Sequence, residues 1–201
     1  MTTTPLEHHR DTALLMSRLG ETLAQAICRA TAGAKLQPAT ASVLDDLETL
    51  GLQLQSLGRI CGGHGALAPE SIDLGLAMLQ ARAEWASEMD RRGARLSGPQ
   101  ESVSVRVSAG VLKQALDLAM GHALALGQDL DCSVAQHGVP PLPTLSLTVR
   151  IPGQELFGVA PNALDELHWA LLLQLAAATG LRLERQVNAH QVTLRLGFLP
   201  A

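Results

Sequence analysis

VSVRVSAGVLKQALDLAMGHALALG (103–127) changes its period part-way along. Val103, Val105 and Val107 alternate with polar residues, the pattern of a short half-buried strand. After Ser108 the alternation stops, and residues 110–126 predict an apolar helix. A strand running straight into such a helix sets an α/β character for this half of the chain.

The elements on either side agree. Ser71 is placed to cap a helix that runs to about Arg92 and carries Ile72, Leu76, Leu79 and Trp85. Ala94–Leu96 reads as a short strand. Asp131–Ala135 and Leu145–Val149 read as two more, separated by HGVPPLP. A last helix is predicted from near Pro161 to Thr179, stopped by Gly180. Leu181–Val187 and Gln191–Phe198 then form a closing hairpin turned at Asn188-Ala189. The expectation is a mixed sheet with helices on one face.

The N-terminal third has a different pattern. Thr4, Pro5 and Glu7 form a helix start with a capping box. Thr12, Met16, Leu19, Leu23, Ala26 and Ala30 follow at spacings of four and three, one apolar stripe. Gly33 and Gln37-Pro38 end that helix. Leu36, Val43, Leu50 and Leu57 then recur as a heptad, with Leu47, Leu54 and Cys61 at the alternate positions. Two seamed helices joined by a short turn form an antiparallel hairpin, which a second copy would complete as a four-helix bundle. A homodimer is expected on that ground. GRICGGHGALAPES (58–71) is the break, so the expected domains are 1–66 and 67–201.

Composition narrows the classes. At 201 residues, with 47% apolar and 17% charged residues, the chain can bury a core in one domain or two small ones. A net charge of −4, no Lys/Arg run and 2% aromatic residues give no basis for nucleic-acid binding. The three cysteines, Cys28, Cys61 and Cys132, do not suggest a secreted disulfide framework. No stretch suits a signal peptide or a membrane span, so the expected location is the cytoplasm.

The candidate chemical groups are few. His8 and His9 fall in the first turns of helix one, where the helix dipole favours a neutral imidazole and an arriving phosphoryl group. Asp11 stands three residues from His8, near enough to orient it. The plainer reading is a pair of solvated histidines. Cys61-Gly62-Gly63-His64 is half of a zinc site with no second pair, so no metal is expected. His122 on its apolar helix reads as a core residue. Asp45, Asp46 and Glu48 read as a solvated face, and Trp169, Leu171, Leu172 and Leu175 as core packing of the last helix.

This order of elements resembles the catalytic core of bacterial sensor histidine kinases, in pattern more than in motif. Residues 43–76 look like the second hairpin helix and its exit. Residues 103–127 look like the strand and helix that carry the family's asparagine box, and 167–200 like its final helix and hairpin. The resemblance implies an α+β chain: a long antiparallel helical hairpin, then a degenerate ATPase-like α/β sandwich. It places His122 where the family has a Mg²⁺-coordinating Asn, and Leu118 at the preceding Asn position. Neither offers a hard oxygen ligand. The strand Leu145–Val149 leads into Arg150-Ile151-Pro152-Gly153 instead of an adenine-reading Asp and Gly-rich turn. No second glycine box follows. The resemblance therefore implies no nucleotide cofactor and no ATP-dependent kinase activity.

The nearest class implied is the kinase-shaped histidine phosphotransferase, whose partners are the receiver domains of response regulators. His8 and His9 are the candidate phosphoacceptors. Letter matching favours His8, through Thr12 and Leu14. Counted from His8, the family's apolar positions land on Arg10, Leu14, Ser17, Glu21 and Ala24; counted from Arg10, they land on Thr12, Met16, Leu19, Leu23 and Ala26, the stripe itself. In the second register Asp11 takes the acidic place and Arg10 replaces the phosphate carrier. The alternative is then a non-catalytic adaptor or inhibitor of a kinase or response regulator, with Arg10, Asp11 and Met16 as contacts.

Overall fold

The computed structural model describes Glu48 and residues 51–60, 68–137, 141–151, 163–188 and 190–201. The chain divides into two compact units, Met1–Ala66 and Leu67–Ala201. In the first, Glu48 and 51–60 are helical, with Glu48 exposed. Leu57 is fully buried and Gln53 is buried beside the seam, a polar residue that the heptad did not anticipate. The rest of the proposed hairpin lies outside the described residues.

The second unit runs β1 (Glu70–Asp73), α1 (Leu74–Glu84), α2 (Ala86–Arg92), β2 (Arg95–Ser97), β3 (Ser104–Val107), α3 (Ala109–Leu126), β4 (Asp129–His137), β5 (Leu142–Arg150), α4 (Ala163–Thr179), β6 (Arg182–Asn188) and β7 (Gln191–Gly197). Five strands form one mixed sheet in the order β2-β4-β5-β7-β6, with β2 parallel to β4 and the other pairs antiparallel. β1 and β3 form a separate antiparallel pair.

Register explains the core. Leu130, Val149 and Val192 stand side by side across β4, β5 and β7; so do Cys132, Leu147 and Leu194, and Val134, Leu145 and Leu196. All nine are buried. Because side chains alternate along each strand, these rows share one face of the sheet. Helix α3 lies against β5, with α4 and α1 packed on its flanks. Twelve of its eighteen residues are buried, which makes it the centre of the helical layer and accounts for its nearly unbroken apolar sequence.

The start of α1 corrects the sequence expectation. Ser71 lies within β1, paired with Arg106, so it is not the cap. Asp73 is: its carboxylate accepts the Leu76 N–H at 2.8 Å and a second bond from the Ser102 hydroxyl. Ser102 Oγ in turn accepts the Gly75 N–H at 3.1 Å. A strand can claim Ser71 because the β1–β3 ladder satisfies its backbone groups, and capping passes to the next acidic residue. The expected single helix to Arg92 is also interrupted, at Trp85. Gly93 closes α2 at φ +65°, the left-handed conformation that suits glycine.

The bond from Ser102, followed by that from Leu76, holds the Asp73 carboxyl below its ordinary value of 3.8. A depressed folded-state pKa contributes stability above the unfolded value, and that contribution is lost as pH falls through the folded value. Asp73→Ala is expected to lower the melting temperature at neutral pH, with the gap to wild type closing below about pH 3.8; thermal melts across a pH series check this.

Candidate functional site

The candidate residues His8, His9, Arg10, Asp11 and Met16 lie outside the described residues, as do Cys61 and His64. The described chemistry concentrates where α3 meets α4.

His122 on α3 is 1% exposed, and its ring centroid lies 5.8 Å from that of Trp169 on α4, the planes tilted by 34°. The Arg185 guanidinium of β6 sits over the Trp169 ring, 5.6 Å from the centroid. Arg185 pairs with Leu194 in the ladder, so alternation places it in the same row as Cys132, Leu147 and Leu194 on the apolar face. A cation against an aromatic face is worth about 0.5–1 kcal/mol when exposed and about 2 kcal/mol when desolvated. His122, Trp169 and Arg185 thus form a column linking α3, α4 and β6.

Gly121 lets the two helices approach. A Cβ there would stand 2.6 Å from His168 Nε2 and 2.9 Å from His168 Cδ2, so the histidine ring of α4 occupies the space that a side chain on α3 would need. Leu118, one turn before His122, is fully buried. Both positions that the sequence aligns with the asparagine box are therefore committed to packing.

A second feature lies between α1 and α3. A groove of about 190 Å³ has an apolar floor that includes Ile72, Ala81, Leu112 and Leu116, with Glu84, Lys113 and Asp117 on its lip. These charges are already matched. Lys113 pairs with Glu84 and, at 3.5 Å, with Asp117; Asp117 also accepts the Trp85 indole N–H at 3.1 Å, and Glu84 accepts from Gln80 at 3.1 Å. The Lys113 bond, helped by Gln80, holds the Glu84 carboxyl below its usual range. The lip clamps α1 to α3.

Cys132 is a free, buried thiol. Burial, reinforced by the neighbouring Asp131 charge, pushes its pKa up to about 12. It is therefore a thiol at neutral pH and a poor nucleophile. Among the described residues no group of three or more His, Cys, Asp or Glu is placed to hold a metal ion, and no helix is long and apolar enough to cross a membrane.

No family model matches the chain, and no curated protein does. Solved structures do. Histidine kinase AdeS of Acinetobacter baumannii superposes with a TM-score of 0.61 at 15% identity, over 90% of this chain and 95% of that one. Full-length ShkA, solved in complex with AMPPNP, superposes with a TM-score of 0.56 at 16% identity, over 99% of this chain and 47% of that one.

The fold is histidine-kinase-like.

Within this kinase-like fold the column was only partly legible in the sequence. His122 reads correctly as a core residue, whereas Trp169 is only half-buried, and nothing in their spacing joins them. Arg185 was the missed signal: it interrupts the apolar alternation of Leu181, Leu183 and Val187, and an arginine on an inward face needs an aromatic or anionic neighbour.

Gly121→Ala is expected to displace the His168 ring and cost about 1–3 kcal/mol, the usual range for overpacking; urea unfolding monitored by circular dichroism checks it. Cys132 is expected to stay unmodified by a thiol reagent in the native protein and to react once urea unfolds it, which mass spectrometry reads directly.

Proposed function

We propose that this chain is a two-component-type signalling protein that works without nucleotide, binding receiver domains of response regulators through its N-terminal helices. The observation that carries this reading is the pairing of a kinase-like fold with a filled interhelical space. Leu118 and His122 are buried, and His122, Trp169 and His168 pack where α3 and α4 meet. Neither Leu118 nor His122 supplies the oxygen ligand that Mg²⁺-assisted phosphoryl transfer from ATP requires. What such a core keeps is its protein-binding surface. The heptad seam of helix two supports a homodimer with a four-helix bundle at its centre.

In the leading reading the chain relays phosphate as a histidine phosphotransferase. An imidazole nitrogen of His8 or His9 attacks the phosphorus of a receiver's aspartyl phosphate, the aspartate carboxylate leaves, and the resulting phosphoramidate is passed to a second aspartate. One observation favours a second reading. The apolar stripe puts Arg10 at the phosphate carrier's place, which supports an adaptor or inhibitor that holds a receiver or kinase through Arg10, Asp11 and Met16 without chemistry.

Incubation with a ³²P-labelled receiver tests both. The phosphotransferase reading expects acid-labile, base-stable label on this chain, lost in His8→Ala or His9→Ala. Tight receiver binding without label selects the adaptor. Saturable binding of Mg²⁺-ATP, measured by calorimetry, overturns the nucleotide-free proposal itself.

A further inference from the structure

The sheet has a second face. Alternation places Ala135, Thr144, Gly197 and Arg182 in one row across β4, β5, β7 and β6, and Ser133, Ser146, Arg195 and Glu184 in the next. Three residues of the first row are small, so the surface sinks there into a recess of about 570 Å³. Its lining includes Thr144, Gly197, Arg182, Arg195, Glu184 and, from the end of β4, His137. Gly197 keeps the floor open: a Cβ at this position would stand 3.2 Å from Arg182 Cβ and 3.9 Å from Thr144 Oγ1.

The charges around this floor do not cancel. Arg195 reaches Glu184 through Nη1 at 3.3 and 3.4 Å, longer than the roughly 2.7–2.9 Å of a strong charge-assisted bond. Arg182 joins no ion pair among the described residues. Two guanidinium groups therefore line the recess with only one carboxylate among them. Thr144 already donates its hydroxyl to Leu142 O at 2.9 Å, so the donors open to a ligand are the two arginines and the His137 ring.

We infer that this recess binds a small oxyanion, a phosphate ester or a carboxylate, between Arg182 and Arg195. Guanidinium forks match both anions in geometry and charge. The site lies on the opposite face of the sheet from the α3–α4 interface, and it stands whichever reading of the N-terminal histidines holds.

Titration of ¹⁵N-labelled full-length protein with inorganic phosphate, and separately with acetate, at ionic strength held constant with chloride, tests it. The amides of Thr144 and Gly197 are expected to shift saturably. Arg182→Gln, a change to an exposed side chain that leaves the apolar rows intact, is expected to weaken binding by about tenfold, the loss of one charged partner. Gly197→Ala is expected to weaken it as well by raising the floor. Saturation by phosphate alone supports the site and assigns it to phosphate esters; saturation by acetate supports it and assigns it to carboxylates. Shifts that stay linear for both anions, or that are unchanged in Arg182→Gln, overturn the inference.

Discussion

Everything in the second unit depends on the burial of α3. It packs on β5 and is flanked by α1 and α4, so little of its circumference is left to solvent. Each leucine removed from water there is worth about 1.5–3 kcal/mol, and the helix holds four buried leucines besides Val111 and Met120. The sheet offers a matching floor because register aligns Leu147 with Cys132 on one side and Leu194 on the other. The edges are held by directed bonds. Lys113 ties α3 to Glu84 of α1, and Arg92 of α2 reaches the Leu124 carbonyl at 3.4 Å, near the helix end where carbonyls lack internal partners.

That burial extends to the contact between α3 and α4. The helix has neighbours on most sides, with the groove toward α1 left open. Where α3 meets α4, glycine permits close approach, a histidine fills the opening, and a tryptophan couples the pair to an arginine on the sheet. Of the column's three residues, His122 is buried while Trp169 and Arg185 are half-buried.

Much of the second unit was legible because its strands and helices differ in period. The alternation of Val103–Val107 and the apolar run after it gave β3 and α3 almost to the residue. Gly180, at φ +75°, ends α4 as its sequence position suggests. The beginning of α1 differs from the expectation because two residues compete to cap it. Ser71 and Asp73 are both good caps, and only the pairing of Ser71 with Arg106 decides between them. The strand from Leu142 is longer than expected for a related reason. Pro143 argues against a strand locally, yet its carbonyl accepts the Phe198 N–H at 2.8 Å, and its place opposite Gln136 carries the ladder through it.

By itself the sequence determined most of the strands and helices of the second unit, and which of their faces are apolar. These follow from local periodicity and side-chain chemistry, which a linear chain displays in full. Only the tertiary structure decided that His122 meets Trp169, that Trp169 meets Arg185, and that Arg182 and Arg195 flank a glycine floor on the far side of the sheet. Those neighbours come from different elements, and their meeting depends on strand order, register and helix packing. Long-range pairing of that kind is set by the balance of the whole core, not by any window of residues.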